Sequence, residues 1–152
     1  MKINVLIVGV FDLFHRGHLE FLKKAKSYGD NLFVIINGDD FTEEYKRRPV
    51  YNENDRREIL SSLSMVNHVE ITNSPDIKPF LEKYDIDVIL HGDDWEHLSY
   101  MKQICVTEEY LAKHKIKIEY TSYYKNISTS EVLRKIKIDH KNEILTARSS
   151  RT

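Results

Sequence analysis

The run Ile3–Val10 is apolar at every position but Asn4. A strand with one wet face alternates apolar and polar residues, whereas a continuous apolar run marks a strand buried on both faces, the condition of parallel sheets covered by helices. The rest of the chain repeats the theme. Leu19, Leu22 and Ala25 recur at helical spacing up to Gly29, and Leu32–Ile36 forms a second strand-like run. Asp55–Leu63 follows as a helix with Ile59, Leu60 and Leu63 on one face, then Val69–Thr72 as a strand and Ile77–Tyr84 as a short helix. Val88–His91 reads as a strand, Trp95–Lys113 as one or two helices, Ile116–Thr121 as the last strand and Thr129–Ile136 as the last helix. This alternation predicts an α/β fold in three layers, with a mostly parallel five-stranded sheet between helices.

A chain of 152 residues holds one such domain and hardly two. We place it over residues 1–137 and read residues 138–152 as a C-terminal tail, because Asp139–Thr152 lacks clear periodicity. Five Gly and three Pro in a chain that is 41% hydrophobic exclude disordered, collagen-like and low-complexity classes. Lys and Arg number 23 against 24 Asp and Glu, which argues against a nucleic-acid-coating protein but leaves room for a local cluster that grips one small anion. The single cysteine, Cys105, builds neither an internal disulfide nor a thiolate zinc site, so a reducing, cytoplasmic setting is expected. The stretch Val5–Phe11 is too short to span a bilayer and the N-terminus lacks signal-peptide features, so no membrane insertion is expected.

Gly9, Gly38 and Gly92 each fall at the carboxyl end of an expected strand, the rim where open α/β sheets bind ligands. The segment joining the first strand to the first helix reads Gly9-Val10-Phe11-Asp12-Leu13-Phe14-His15-Arg16-Gly17-His18. A helix N-terminus there offers free N–H groups and the positive end of a dipole to an anion, and Gly17 lets a phosphate approach the backbone. The segment is neither a Walker loop nor a dinucleotide fingerprint. A zinc pair with His91 as third ligand, or an ordinary helix start with two satisfied histidines, are the competing readings of His15 and His18. The H-x-G-H arrangement at a strand-to-helix turn favours a phosphate-binding role over both.

Four further blocks follow in order: Tyr45-Lys46-Arg47-Arg48-Pro49, Asp55-Arg56-Arg57, His91-Gly92-Asp93-Asp94-Trp95 and Ile127-Ser128-Thr129-Ser130. With the first segment they resemble the H-x-G-H nucleotidyltransferase superfamily, and within it the glycerol-3-phosphate cytidylyltransferase-like family, over about residues 1–137. The resemblance implies a Rossmann-like fold and transfer of CMP from CTP to a small phosphorylated acceptor with release of pyrophosphate. It implies catalytic roles for His15, His18 and Lys46, with Asp12 orienting the loop. It implies nucleotide contacts from Gly9, Val10, Phe11, His15, Gly17, His18, Arg47, Asp93, Lys125, Asn126, Ile127, Ser128, Thr129 and Ser130. Acceptor contacts are expected from Lys46, Arg56, Lys78 and Trp95. Magnesium is expected on the nucleotide phosphates with no dedicated protein ligands, and a homodimer is expected because relatives are commonly dimers. An acceptor phosphate is already anionic near neutral pH, so such a reaction needs neither general base nor protein nucleophile, only positioning and charge neutralisation.

Some residues also have an independent reading. Ser128 followed by Glu131 is a capping box that opens the last helix, and Lys46-Arg47-Arg48 is equally the composition of a solvated basic turn. The chain departs from the family pattern where Tyr123-Tyr124-Lys125-Asn126 replaces the usual Arg-Thr-x-Gly, and where Val10 replaces a common Thr. Lys125 does not reproduce an arginine's geometry. The acceptor therefore stays open between glycerol 3-phosphate, a phosphonate, and choline or ethanolamine phosphate, whose cation Trp95, Tyr123 and Tyr124 could face. An ATP-dependent adenylyltransferase is the same-class alternative, and a non-catalytic nucleotide-binding module the alternative of a different class.

Overall fold

The sheet is built around β1 (Asn4–Gly9), whose Val5, Leu6 and Ile7 are wholly shielded from water. The computed structural model describes residues 1–94, 96–125 and 127–149. After β1 the chain runs through α1 (Arg16–Lys26), β2 (Asn31–Asn37), α2 (Asp39–Glu43), α3 (Glu53–Ser61), β3 (His68–Thr72) and α4 (Lys78–Lys83). It continues through β4 (Val88–Gly92), α5 (His97–Gln103), α6 (Glu108–His114), β5 (Lys117–Thr121) and α7 (Thr129–Ser149). The strand order is β3-β2-β1-β4-β5. Every pairing is parallel, so the sheet is wholly rather than mostly parallel.

Strand alternation sends Leu6 and Ile89 to one face, against Leu81, Tyr100, Met101 and Leu111 from α4, α5 and α6. Val5, Ile7 and Leu90 face the other way, onto Leu22 and Ala25 of α1 and Leu60 of α3. Each buried leucine of this kind contributes about 1.5–3 kcal/mol from the area it removes from water. The chain builds β1, β2 and β3 in one direction and returns across β1 to add β4. The reversal leaves a crevice at the carboxyl ends of β1 and β4, where ligands bind in open α/β sheets.

Two elements differ from the sequence expectation. The short helix α2 interposes itself after β2, so Lys46-Arg47-Arg48 lies in the turn beyond it. The last helix, expected over 129–136, runs on to Ser149, through most of the segment read as a tail. Among the described residues no helix is long and apolar enough to cross a membrane.

Candidate active site

The turn between β1 and α1 is held under tension. Phe11 and Leu13 adopt left-handed backbone angles, φ 56° and 50°. Non-glycine residues in this region cost about 1–3 kcal/mol each and persist only where their surroundings fix them. Here Arg56 Nη1 donates to the Val10 carbonyl (2.7 Å), and Thr129 Oγ1 donates to the Asp12 carbonyl (2.7 Å). The buried Asp12 carboxylate accepts from its neighbour Leu13 N (3.0 Å), from Val50 N (2.7 Å) and Tyr51 N (2.9 Å), and from Arg47 Nη1 (2.9 Å). Asp12 thus binds the turn to the 47–51 segment.

Burial pushes the Asp12 pKa up, but the N–H groups of Tyr51 and Val50 and the Arg47 guanidinium together bring it below the ordinary carboxylate value. The folded protein therefore holds fewer protons at this site than the unfolded chain. Asp12 contributes its full stabilisation above the unfolded pKa and loses it as pH falls through the folded one. Chemical denaturation of wild type and Asp12→Asn is expected to give a stability difference that is constant from about pH 5 to 7 and shrinks below about pH 4.

His15 is the N-cap of α1, with Nδ1 accepting from Gly17 N (3.0 Å) and His18 N (3.4 Å). His18 Nδ1 accepts in return from His15 N (3.2 Å), closing a reciprocal box made of two histidines. A ring nitrogen that accepts carries no proton, so each neutral ring bears its hydrogen on Nε2. Burial draws the His18 pKa down to about 3; His15 and Lys46 add to the effect and Asp12 opposes it. Burial also lowers the His15 pKa. Both rings are therefore neutral at pH 7 and stack with centroids 3.8 Å apart. The first turn of α1 carries no acidic residue, which leaves its positive end to a ligand.

Gly17 is required by this packing. A Cβ there would lie 2.8 Å from His15 Cε1 and 3.2 Å from the Ile127 carbonyl oxygen. Gly17→Ala is expected to displace the His15 ring and lower turnover about 10- to 100-fold in a steady-state assay, the scale of a misplaced reacting group.

These groups line a cleft of about 710 Å³, within the range of small-molecule sites. Gly9, Val10, Phe11, His15, Gly17, His18, Lys46, Arg47, Lys125, Ile127, Ser128 and Thr129 all reach it. The structure separates the roles of the two adjacent cations. Arg47 is pinned to Asp12, while Lys46 has no carboxylate within 4.0 Å among the described residues. Desolvation, followed by the charge of Arg47, lowers the Lys46 pKa, and Asp12 counters part of the shift. Ser128 caps α7 by accepting from Glu131 N (3.1 Å), but the Glu131 carboxylate turns to Arg134, so half of the expected capping box forms.

Other expected site residues lie elsewhere. Arg56, expected at the acceptor, is 1% exposed and turned into the protein: it donates to the carbonyls of Tyr51 (3.0 Å), Val10 and Asn37 (2.9 Å) and to Asp39 Oδ1 (2.7 Å). Its bonds brace the turn before His15 rather than face the cleft. Lys78 does not line the cleft; its Nζ donates to the Cys105 carbonyl (2.6 Å) and pairs with Asp76 (3.0 Å). Asp93 and Ser130 are exposed and also miss the cleft, whereas the neighbouring Asp94 reaches it. Trp95 and Asn126 lie outside the described residues. Tyr124 takes two cations on its ring, Arg16 and Lys125, each 5.2 Å from the centroid. Tyr123 donates to Asp94 Oδ1 (2.8 Å). Sequence reading passed over Tyr100 and Gln103, which reach the cleft from one side of α5; their i, i+3 spacing was the available signal.

The fold and this cleft define a Rossmann-like domain with an open cleft beside the His15–His18 turn at its switch point. The chain belongs to the cytidylyltransferase-like family, whose model matches residues 6–135. It is 34% identical over 104 residues to glycerol-3-phosphate cytidylyltransferase of Bacillus spizizenii, covering 67% of this chain and 81% of that protein. It is 36% identical over 143 residues to FAD synthase of Thermococcus sibiricus, covering 89% and 93%. With the bifunctional protein HldE of Helicobacter pylori it shares 34% identity over 134 residues, 87% of this chain but 27% of that protein. Among solved structures, the lipopolysaccharide core biosynthesis protein from Thermoplasma volcanium superposes with a TM-score of 0.70 at 27% identity, covering 82% of this chain and all of that one.

Proposed function

We propose that this protein is a cytidylyltransferase that transfers CMP from CTP to a small phosphorylated alcohol, with glycerol 3-phosphate the leading candidate, and releases pyrophosphate. The observation that carries this reading is the pair of neutral imidazoles, each with its Nε2 hydrogen uncommitted to protein among the described residues, beside Lys46 and the capped start of α7. The family model and the Bacillus relative support CTP and a glycerol phosphate. The two cations already held by Tyr124 weigh against choline or ethanolamine phosphate on that ring.

An oxygen of the acceptor phosphate attacks the α-phosphorus of the nucleotide. That P–O bond forms as the bond from the α-phosphorus to the bridging oxygen of the β-phosphate breaks, and pyrophosphate leaves with the electron pair. Nε2–H of His15 and His18 donate to oxygens whose charge grows in the transition state, Lys46 bridges the two anions, and the N–H groups of α7 hold phosphate oxygens. Neutral donors suit the task because they bind developing charge without locking the ground state. The Asp12 carboxylate is saturated by its N–H donors; magnesium, in this reading, would come with the nucleotide phosphates and would supply charge neutralisation. The same reading includes a cytoplasmic homodimer, its mass measurable by light scattering.

Pyrophosphate release with labelled CTP and a panel of small phosphates and phosphonates tests the reading; turnover with CTP and a phosphorylated alcohol is expected. The FAD synthase similarity favours a second reading, adenylyl transfer from ATP, which a preference for ATP in the same assay would establish. No release with either nucleotide would leave a nucleotide-binding module.

A further inference from the structure

The strand alternation that puts Leu6 and Ile89 on the α5 face puts His91 there too, and its ring stacks on Tyr100, with centroids 4.0 Å apart and planes 11° from parallel. Both residues line the cleft. Tyr100 is 2% exposed, yet among the described residues its hydroxyl has no hydrogen-bond partner, and neither does the buried His91 Nε2. Buried polar atoms are nearly always satisfied, so two orphans side by side at the wall of one cleft mark a place where a ligand completes the bonding. The phosphate-binding groups lie across the sheet end, on the α1 side, where Gly17 meets the Ile127 carbonyl and Thr129 meets Asp12. The pair stands instead on the α5 side of the sheet end.

We propose that His91 Nε2 and Tyr100 Oη form the acceptor-recognition pair, and that the group they read is a neutral alcohol hydroxyl, so that the acceptor class is a phosphorylated polyol. The proposal rests on the nucleotidyl-transfer reading above. A hydroxyl donates and accepts at once and satisfies both atoms. A quaternary ammonium has no hydrogen to offer and would leave both unpaired. A phosphate would meet no cation in this pair: burial keeps His91 neutral at pH 7, with Asp94 only partly opposing the shift.

The test compares glycerol 3-phosphate with n-propyl phosphate, which lacks both hydroxyls, in wild type and Tyr100→Phe, using whichever nucleotide supports turnover. Wild type should favour glycerol 3-phosphate by roughly tenfold or more in kcat/KM, and Tyr100→Phe should shrink that ratio about tenfold, the scale of one lost neutral hydrogen bond. The change should appear in the KM for glycerol 3-phosphate, with the nucleotide KM within about twofold. The Tm of Tyr100→Phe should not fall, because the hydroxyl has no partner among the described residues. An unchanged ratio, a shift confined to the nucleotide KM, a lowered Tm, or phosphocholine as the best acceptor would each overturn the proposal. Absence of pyrophosphate from wild type with every acceptor and nucleotide would instead overturn the transfer reading, and this inference with it.

Discussion

His18→Asn is expected to lower turnover about a hundredfold or more, the effect of removing one preorganised transition-state donor. The asparagine amide oxygen reaches roughly where Nδ1 stands, so it still accepts from His15 N, while nothing replaces the Nε2 hydrogen. The reciprocal box at the start of α1 thereby survives and thermal stability should change little. His18→Ala should lose as much turnover and about 1 kcal/mol of stability besides, the cost of a missing cap interaction. Steady-state kinetics beside thermal melts separates the two effects. Near-normal turnover in His18→Asn would remove the imidazole from the chemistry.

Arg56→Ala is expected to have the largest effect on stability, about 3–5 kcal/mol, the cost of breaking a buried ion pair from one side. Its side chain is 0% exposed, and its removal takes the charged partner from the buried Asp39 carboxylate and the donor from the carbonyls of Val10, Asn37 and Tyr51. One of those carbonyls lies in the strained turn before His15, so the variant should also lose turnover through misplaced histidines. Arg56→Lys keeps a charge but cannot span four acceptors with a planar fork, and should recover only part of the loss. Urea denaturation measures the stability term. An exposed acceptor ligand would instead show a raised acceptor KM at unchanged stability.

The inner strands were legible because Val5–Ile7 of β1 and Val34–Ile36 of β2 are apolar and buried on both faces, and that pattern is local. The H-x-G-H turn was legible for the same reason: His15, Gly17 and His18 lie within one turn of helix. What escaped is long-range. Nothing near Arg56 in the sequence announces a bond to Val10, nor does Asp12 announce Val50, Tyr51 or the hydroxyl of Thr129. The same chemistry that suits an arginine to an acceptor phosphate suits it to buried carbonyls, and only the fold decides between them. The extent of α7 escaped because its exposed Ile136, Ile138, Ile144 and Leu145 do not form one apolar stripe. The Tyr100–His91 stack joins two elements whose sequence carries no sign of the pairing.

The central claim is that two neutral imidazoles, locked by their own helix cap, both present Nε2–H to a phosphate. Nitrogen NMR of protein labelled in the histidine rings reads this directly. The account predicts that His15 and His18 at pH 7 each show an unprotonated Nδ1 and a protonated Nε2, and that His18 holds this state down to pH 5. A proton on Nδ1 of either ring, or an imidazolium at His18 at pH 6, would contradict it.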